Sequence, residues 1–178
     1  MRLRILLAAC LAAASIPLVA AEQPTTLTNL TTPSWALQVS GISYHFSPPS
    51  GKYALKKWNE QNWGLGLEYR KNTRPGYWLK ATGGFMLDST DTWSTYVGAA
   101  LQKRLVDGEV SVDAGAAGFI FYRGLENGRK RLLPAVLPVV SIEHRATGLG
   151  LNLLAVPEFK AQGMHSPTVV FAQLTYRF

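Results

Sequence analysis

Thiol chemistry is almost absent from this chain. Of 178 residues only Cys10 is a cysteine, so a disulfide framework and a cysteine-ligated metal site are excluded from everything beyond the N-terminal segment. Long apolar runs are scarce as well. Past residue 20 no stretch approaches the roughly eighteen consecutive apolar residues that a spanning helix needs, which excludes crossing a bilayer by helices. Acidic residues are few, 11 against 18 Lys and Arg, for a formal net charge of +7. The excess is local rather than spread over a face. Lys52, Lys56 and Lys57 share one connection and Arg123, Arg129, Lys130 and Arg131 another, so no nucleic-acid partner is expected; solvated loops, or loops facing phosphorylated lipid head groups, account for the pattern.

What is present begins with an export signal. Arg2 and Arg4 precede an apolar run from Ile5 to Val19, and Val19-Ala20-Ala21 offers small residues for cleavage, so residues 1–21 read as a secretory signal peptide. Leu7-Ala8-Ala9-Cys10 also fits lipoprotein processing, but cutting there leaves an apolar run of about five residues, shorter than signal peptides use. Removal of the signal leaves roughly 157 residues, one domain. Residues 22–33, Thr-rich and edged by Pro24 and Pro33, read as an extended lead-in.

From residue 34 to 178 the dominant period is two. At the C-terminus Val170, Ala172, Leu174 and Tyr176 alternate with Gln173, Thr175 and Arg177 before the terminal Phe178. Trp63, Leu65, Leu67 and Tyr69 alternate with Gly64, Gly66, Glu68 and Arg70 in the same way. Strands are predicted at 34–46, 62–70, 77–88, 92–103, 109–122, 134–143, 149–156 and 169–178, with longer connections at 47–61, 123–133 and 158–167. Eight antiparallel strands with aromatic, apolar outward faces predict an all-β, eight-stranded transmembrane barrel of the outer-membrane type, its termini in the periplasm. A soluble lipocalin-like up-and-down barrel is the alternative.

In that orientation the inward-facing positions separate by depth. Glu68, Arg70, Lys80, Gln102, Ser111, Asp113 and Asn152 are expected in a polar lower layer; Met86, Tyr96, Phe119, Phe121, Val136, Val140, Leu154 and Val156 line an apolar upper one. Eight strands leave room only for side chains or one slender ligand. Such an interior either packs on itself or accepts an acyl chain. Pro134, Pro138 and Pro157 remove ladder donors in the upper halves of neighbouring strands, where they either open lateral access for lipid or simply end pairing beside a loop.

Four segments carry a family resemblance. Ile42-Ser43-Tyr44-His45, then Trp58-Asn59-Glu60-Gln61-Asn62-Trp63-Gly64-Leu65-Gly66, then Leu87-Asp88-Ser89 with Trp93 and Gly98, and Leu133-Pro134-Ala135-Val136-Leu137-Pro138 resemble, in order and spacing, the lipid A palmitoyltransferases (PagP). The resemblance implies transfer of a palmitoyl or similar chain from a glycerophospholipid donor to lipid A (lipopolysaccharide), by a monomer in the outer membrane with its active site facing the exterior, without metal or cofactor. The family's essential histidine falls on His45 and its Asp-Ser pair on Asp88 and Ser89. His45 is then a general base assisted by Asp88, with Ser89 either a hydrogen-bond donor to the carbonyl or an acyl-enzyme nucleophile. The glycine with which the family measures chain length falls on Ala100, which predicts a preference for a chain shorter than palmitate or a loss of selectivity.

The chain also departs from the family. It has no N-terminal amphipathic helix, and Ser40 and Asn62 stand where prolines flank a gate. Strict alternation puts His45 on the outward face with Trp35, Leu37 and Val39, so a lumen-facing base requires a bulge near Gly41. A non-catalytic barrel of the same kind, and a lipid A deacylase or phospholipase, are the competing functions.

Overall fold

A computed structural model describes residues 33–50, 52, 55–161 and 164–178. The expected signal peptide, and all of the lead-in but Pro33, lie outside the described residues. Eight strands close a barrel: β1 (Ser34–His45), β2 (Gln61–Arg74), β3 (Tyr77–Leu87), β4 (Trp93–Val106), β5 (Val110–Gly124), β6 (Lys130–His144), β7 (Leu149–Val156) and β10 (Val169–Arg177). They run antiparallel in the circular order β1-β10-β7-β6-β5-β4-β3-β2, so the C-terminal strand closes on the first. Closure leaves no edge, which is what makes a sheet tolerable in hydrocarbon.

The burial pattern is that of a barrel made for lipid. Trp35, Trp63, Leu65, Phe85, Trp93, Ile120, Leu174 and Phe178 are exposed on the outside, whereas Gln38, Glu68, Arg70, Lys80, Gln102, Asp113, Asn152 and Thr175 are buried within. A soluble lipocalin-like barrel would have this distribution reversed.

Three expectations are corrected. The connection at 158–167 is not featureless: β8 (Phe159–Ala161) and β9 (Met164–Ser166) pair as a separate two-stranded sheet. Pro157 and Pro167 bracket this segment and obscure its short alternation. The basic loop at 123–133 is mostly strand, because Arg123 and Gly124 complete β5 and β6 starts at Lys130. The true connection is a tight turn closed by the Leu125 N–H on the Arg129 carbonyl at 2.9 Å.

In β6 the phase is inverted. Val136 and Val140 face outward, and Leu133, Ala135, Leu137 and Val139 face inward. Residues 132–140 are apolar throughout, so no polar alternation marks the inner face; the register set by the short β5–β6 turn, Gly124 against Lys130 and Ala117 against Leu137, decides it.

One irregularity positions the site. The β1 ladder shifts register between Ser40 and Ile42 against both neighbours, β10 and β2. Against β10 Gly41 is therefore an extra residue, whereas against β2 it stands opposite two, Asn62 and Trp63. Below it Ala36, Gln38 and Ser40 point inward; above it Ser43 and His45 do, with Ile42 and Tyr44 outside. The phase reset that a lumen-facing His45 requires is present.

Candidate functional site

The upper rim is the end of the barrel that carries the β1–β2, β3–β4, β5–β6 and β7–β10 connections. A cavity of about 510 Å³ opens there, and His45, Asp88, Ser89, Met86, Tyr96, Ala100, Phe119, Phe121 and Leu154 all line it. Its size is that of a small-ligand pocket. Val140 is absent from the lining because it faces outward. Leu137 and Val139 take its place and pack with Ala100, Ala117 and Leu154 as the buried apolar core.

The cavity floor is polar and closed. Ser141 accepts from Lys80 Nζ and Gln102 Nε2 at 3.0 Å each and donates to Asn152 Oδ1 at 2.6 Å. Asn152 Nδ2 continues to Glu68 Oε2 at 3.3 Å, where Gln38 Nε2 also donates at 2.8 Å. Beneath them Arg70 pairs with Glu68 and Glu143, and Arg104 with Asp113. Buried charges at this depth persist because each has a partner.

Tyr96 is more than a lining residue. Its hydroxyl donates to Gln38 Oε1 on β1 and accepts from Gln173 Nε2 on β10, both at 3.1 Å. Strands β4 and β10 stand opposite one another in the circle of eight, so this side chain bars the lumen. Gly66 and Gly84 allow it, since a Cβ on either would collide with the Tyr96 hydroxyl. The ring packs edge-on to Phe119, 6.2 Å away, leaving the apolar passage on the side of β5, β6 and β7.

At the rim, Asp88 follows β3 in a turn whose next strand begins at Trp93. Its Oδ1 accepts from Thr90 N and Oγ and from Thr92 N at 2.7–3.1 Å. Oδ2 accepts from Ser94 Oγ at 2.5 Å and from the Gly124 N–H at 2.8 Å. Burial works against the Asp88 charge, but Ser94, Thr90 and the nearby Arg123 together hold its carboxyl below the usual range.

No hydrogen bond joins Asp88 to His45. The imidazole instead lies flat on Trp58, with ring centroids 5.0 Å apart and planes 14° from parallel. Its Nδ1 is buried with no partner among the described residues, and the residue lines the cavity. Ser89 is buried beside Asp88, and its carbonyl accepts from the Asn59 N–H at 2.9 Å.

Several contributors had no role assigned from sequence. Trp58, whose Nε1 donates to the Ser47 carbonyl at 2.9 Å, supports the imidazole. Asn59 ties the β1–β2 connection to the Asp88–Ser89 turn, and Arg123 and Gly124 bring β5 to the same place. The only signal for the first two was their membership of the motif at 58–66.

Around the apolar passage, the β6–β7 ladder begins at Val139 against Leu154 and runs downward only. Residues 130–138 of β6 pair with β5 alone. Pro138 stands just above the last rung, Pro134, exposed higher up, borders the cavity as well, and Pro157 follows the end of β7. Between β1 and β2 the ladder skips Gly41 on one strand and Asn62 and Trp63 on the other.

The family profile described as antimicrobial peptide resistance and lipid A acylation protein PagP matches residues 28–165. A lipid A acyltransferase PagP of Laribacter hongkongensis (strain HLHK9) is 28% identical over 145 residues, 80% of this chain and 66% of that relative's length.

Proposed function

Because the chain belongs to the PagP family of lipid A acylation proteins, we propose that it is an outer-membrane acyltransferase that moves a fatty acyl chain from a glycerophospholipid to lipid A at the exterior face. One observation carries this reading. A histidine and a buried serine both line the mouth of an apolar passage whose floor is polar and closed. An acyl chain fills such a passage and holds its ester at the mouth.

His45 takes the proton of the acceptor hydroxyl as that oxygen attacks the ester carbonyl. The carbonyl–glycerol bond then breaks, and the glycerol oxygen takes the proton back from His45 to leave as a lysophospholipid. The Ser89 hydroxyl, which makes no hydrogen bond to a described residue, donates to the carbonyl oxygen as negative charge builds there. Asp88 holds the turn that presents Ser89, and Trp58 keeps the imidazole in plane. Lipid enters laterally where β6 lacks pairing to β7, between Pro134, Pro138 and Pro157. The protein works as a monomer, since the cavity and its rim come from one chain.

Mass spectrometry of lipid A from cells with and without the chain tests this. The expected gain is a heavier lipid A species carrying one additional acyl chain, lost with His45→Ala while the barrel still folds. Unchanged lipid A with a folded barrel indicates a non-catalytic protein; lost mass or released fatty acid indicates a hydrolase. The same spectra carry the chain-length test: Ala100→Gly deepens the passage and shifts the added mass to longer chains, and identical profiles remove that role for Ala100.

A further inference from the structure

We infer that Arg123 is the anchor for the phosphate of the donor lipid; the inference rests on the acyltransferase reading for the donor's identity, but not for phosphate binding itself. Along β5 the residues that share the inward face run Ala117, Phe119, Phe121 and Arg123 from the depth of the cavity to its mouth, and all four line it. The order is hydrocarbon first and cation last. A glycerophospholipid with its tail in the cavity presents the same order, acyl chain and then phosphate.

The guanidinium has five donors, and none meets an acceptor among the described residues. Asp88 is close enough for the Arg123 charge to act on it, but both its oxygens are taken by Thr90, Thr92, Ser94 and Gly124. A partly buried cation with unused donors calls for an anion, and the planar fork of arginine suits two phosphate oxygens. The neighbouring cations are not alternatives. Lys130 Nζ donates to the Trp93 carbonyl at 2.7 Å, Arg129 and Arg131 are exposed, and Lys80 lies at the floor on Ser141.

The test compares the parent with Arg123→Gln and Arg123→Lys, each refolded in a neutral maltoside micelle and checked for a folded barrel by heat-modifiable gel mobility. Each is titrated with a lysophosphatidylglycerol and with a monoacylglycerol of the same chain, followed by tryptophan fluorescence. The Kd for the phosphate lipid is expected to rise about tenfold or more with Gln and by less with Lys, while the neutral lipid binds all three alike. Equal weakening of both ligands, or of neither, overturns the proposal.

Turnover locates the phosphate. Phospholipid cleavage without lipid A should fall in Arg123→Gln while cleavage of a p-nitrophenyl ester does not. A matching loss on the neutral ester moves Arg123 to the reacting carbonyl, and a defect seen only with lipid A present moves it to the acceptor; either overturns the donor assignment. A protein that binds phosphate through Arg123 yet transfers no acyl group sinks the acyltransferase reading alone.

Discussion

A carboxylate in the wall of a barrel keeps its charge only where donors surround it, and Asp88 has Thr90, Thr92, Ser94 and Gly124 around its two oxygens. Because those donors hold its folded pKa below the unfolded value, its stabilisation is fully present above the unfolded carboxylate range and is lost as pH falls through the lower folded value. Urea titrations in micelles should therefore show a rim indifferent to pH near neutrality and weakened below about pH 4. Asp88→Asn should lose that acid limb because an amide does not titrate there, and should cost about 1–3 kcal/mol at every pH because its NH2 group faces groups that themselves donate. An unchanged acid limb in the variant would assign it to another group. The family motifs singled out His45, Asp88 and Ser89, and all three line one cavity. That Asp88 braces the mouth rather than bonding the imidazole was not legible in the sequence, since one of its donors, Gly124, comes from a distant strand and the ring lies on Trp58 instead.

The strands show where period-two reading succeeds and where it stops. In β2 large apolar residues alternate with small or polar ones, and the inner face follows directly. In β6 no polar residue interrupts the apolar stretch, and turn length sets the phase instead. In β1 the extra residue at Gly41 decides whether the histidine meets the lumen or the lipid. Deleting Gly41 removes the extra residue and its bulge together, so regular alternation from Ser40 keeps Ser43 and His45 inward, and lipid A modification should persist in a barrel that still closes. Gly41→Ala is the control: an added Cβ meets nothing nearer than the Ala172 carbonyl oxygen at 3.8 Å, so activity should persist. A folded deletion variant with no activity would contradict the account in which the bulge serves only to set the phase of Ser43 and His45.

The whole molecule is greasy outside and charged inside, and this inversion ties its folding to an amphiphile. Circular dichroism in plain buffer should show no cooperative β-structure, and addition of micelles should produce it along with a heat-modifiable band; a folded, monodisperse protein without detergent would contradict the membrane reading. The sequence alone determined the strand count within the barrel, the lipid-facing aromatics and the polar lower layer, because alternation is a local property that each strand displays by itself. It also pointed to the histidine and the Asp-Ser pair. The Tyr96 crossbar, the inward Arg123, the inverted face of β6 and the Gly124 donor on Asp88 were decided only by the tertiary structure. The crossbar needs β4 to face β1 and β10 across a closed circle, and the others follow from the β5–β6 turn and the pairing of β5, relations between strands that no single strand displays by itself.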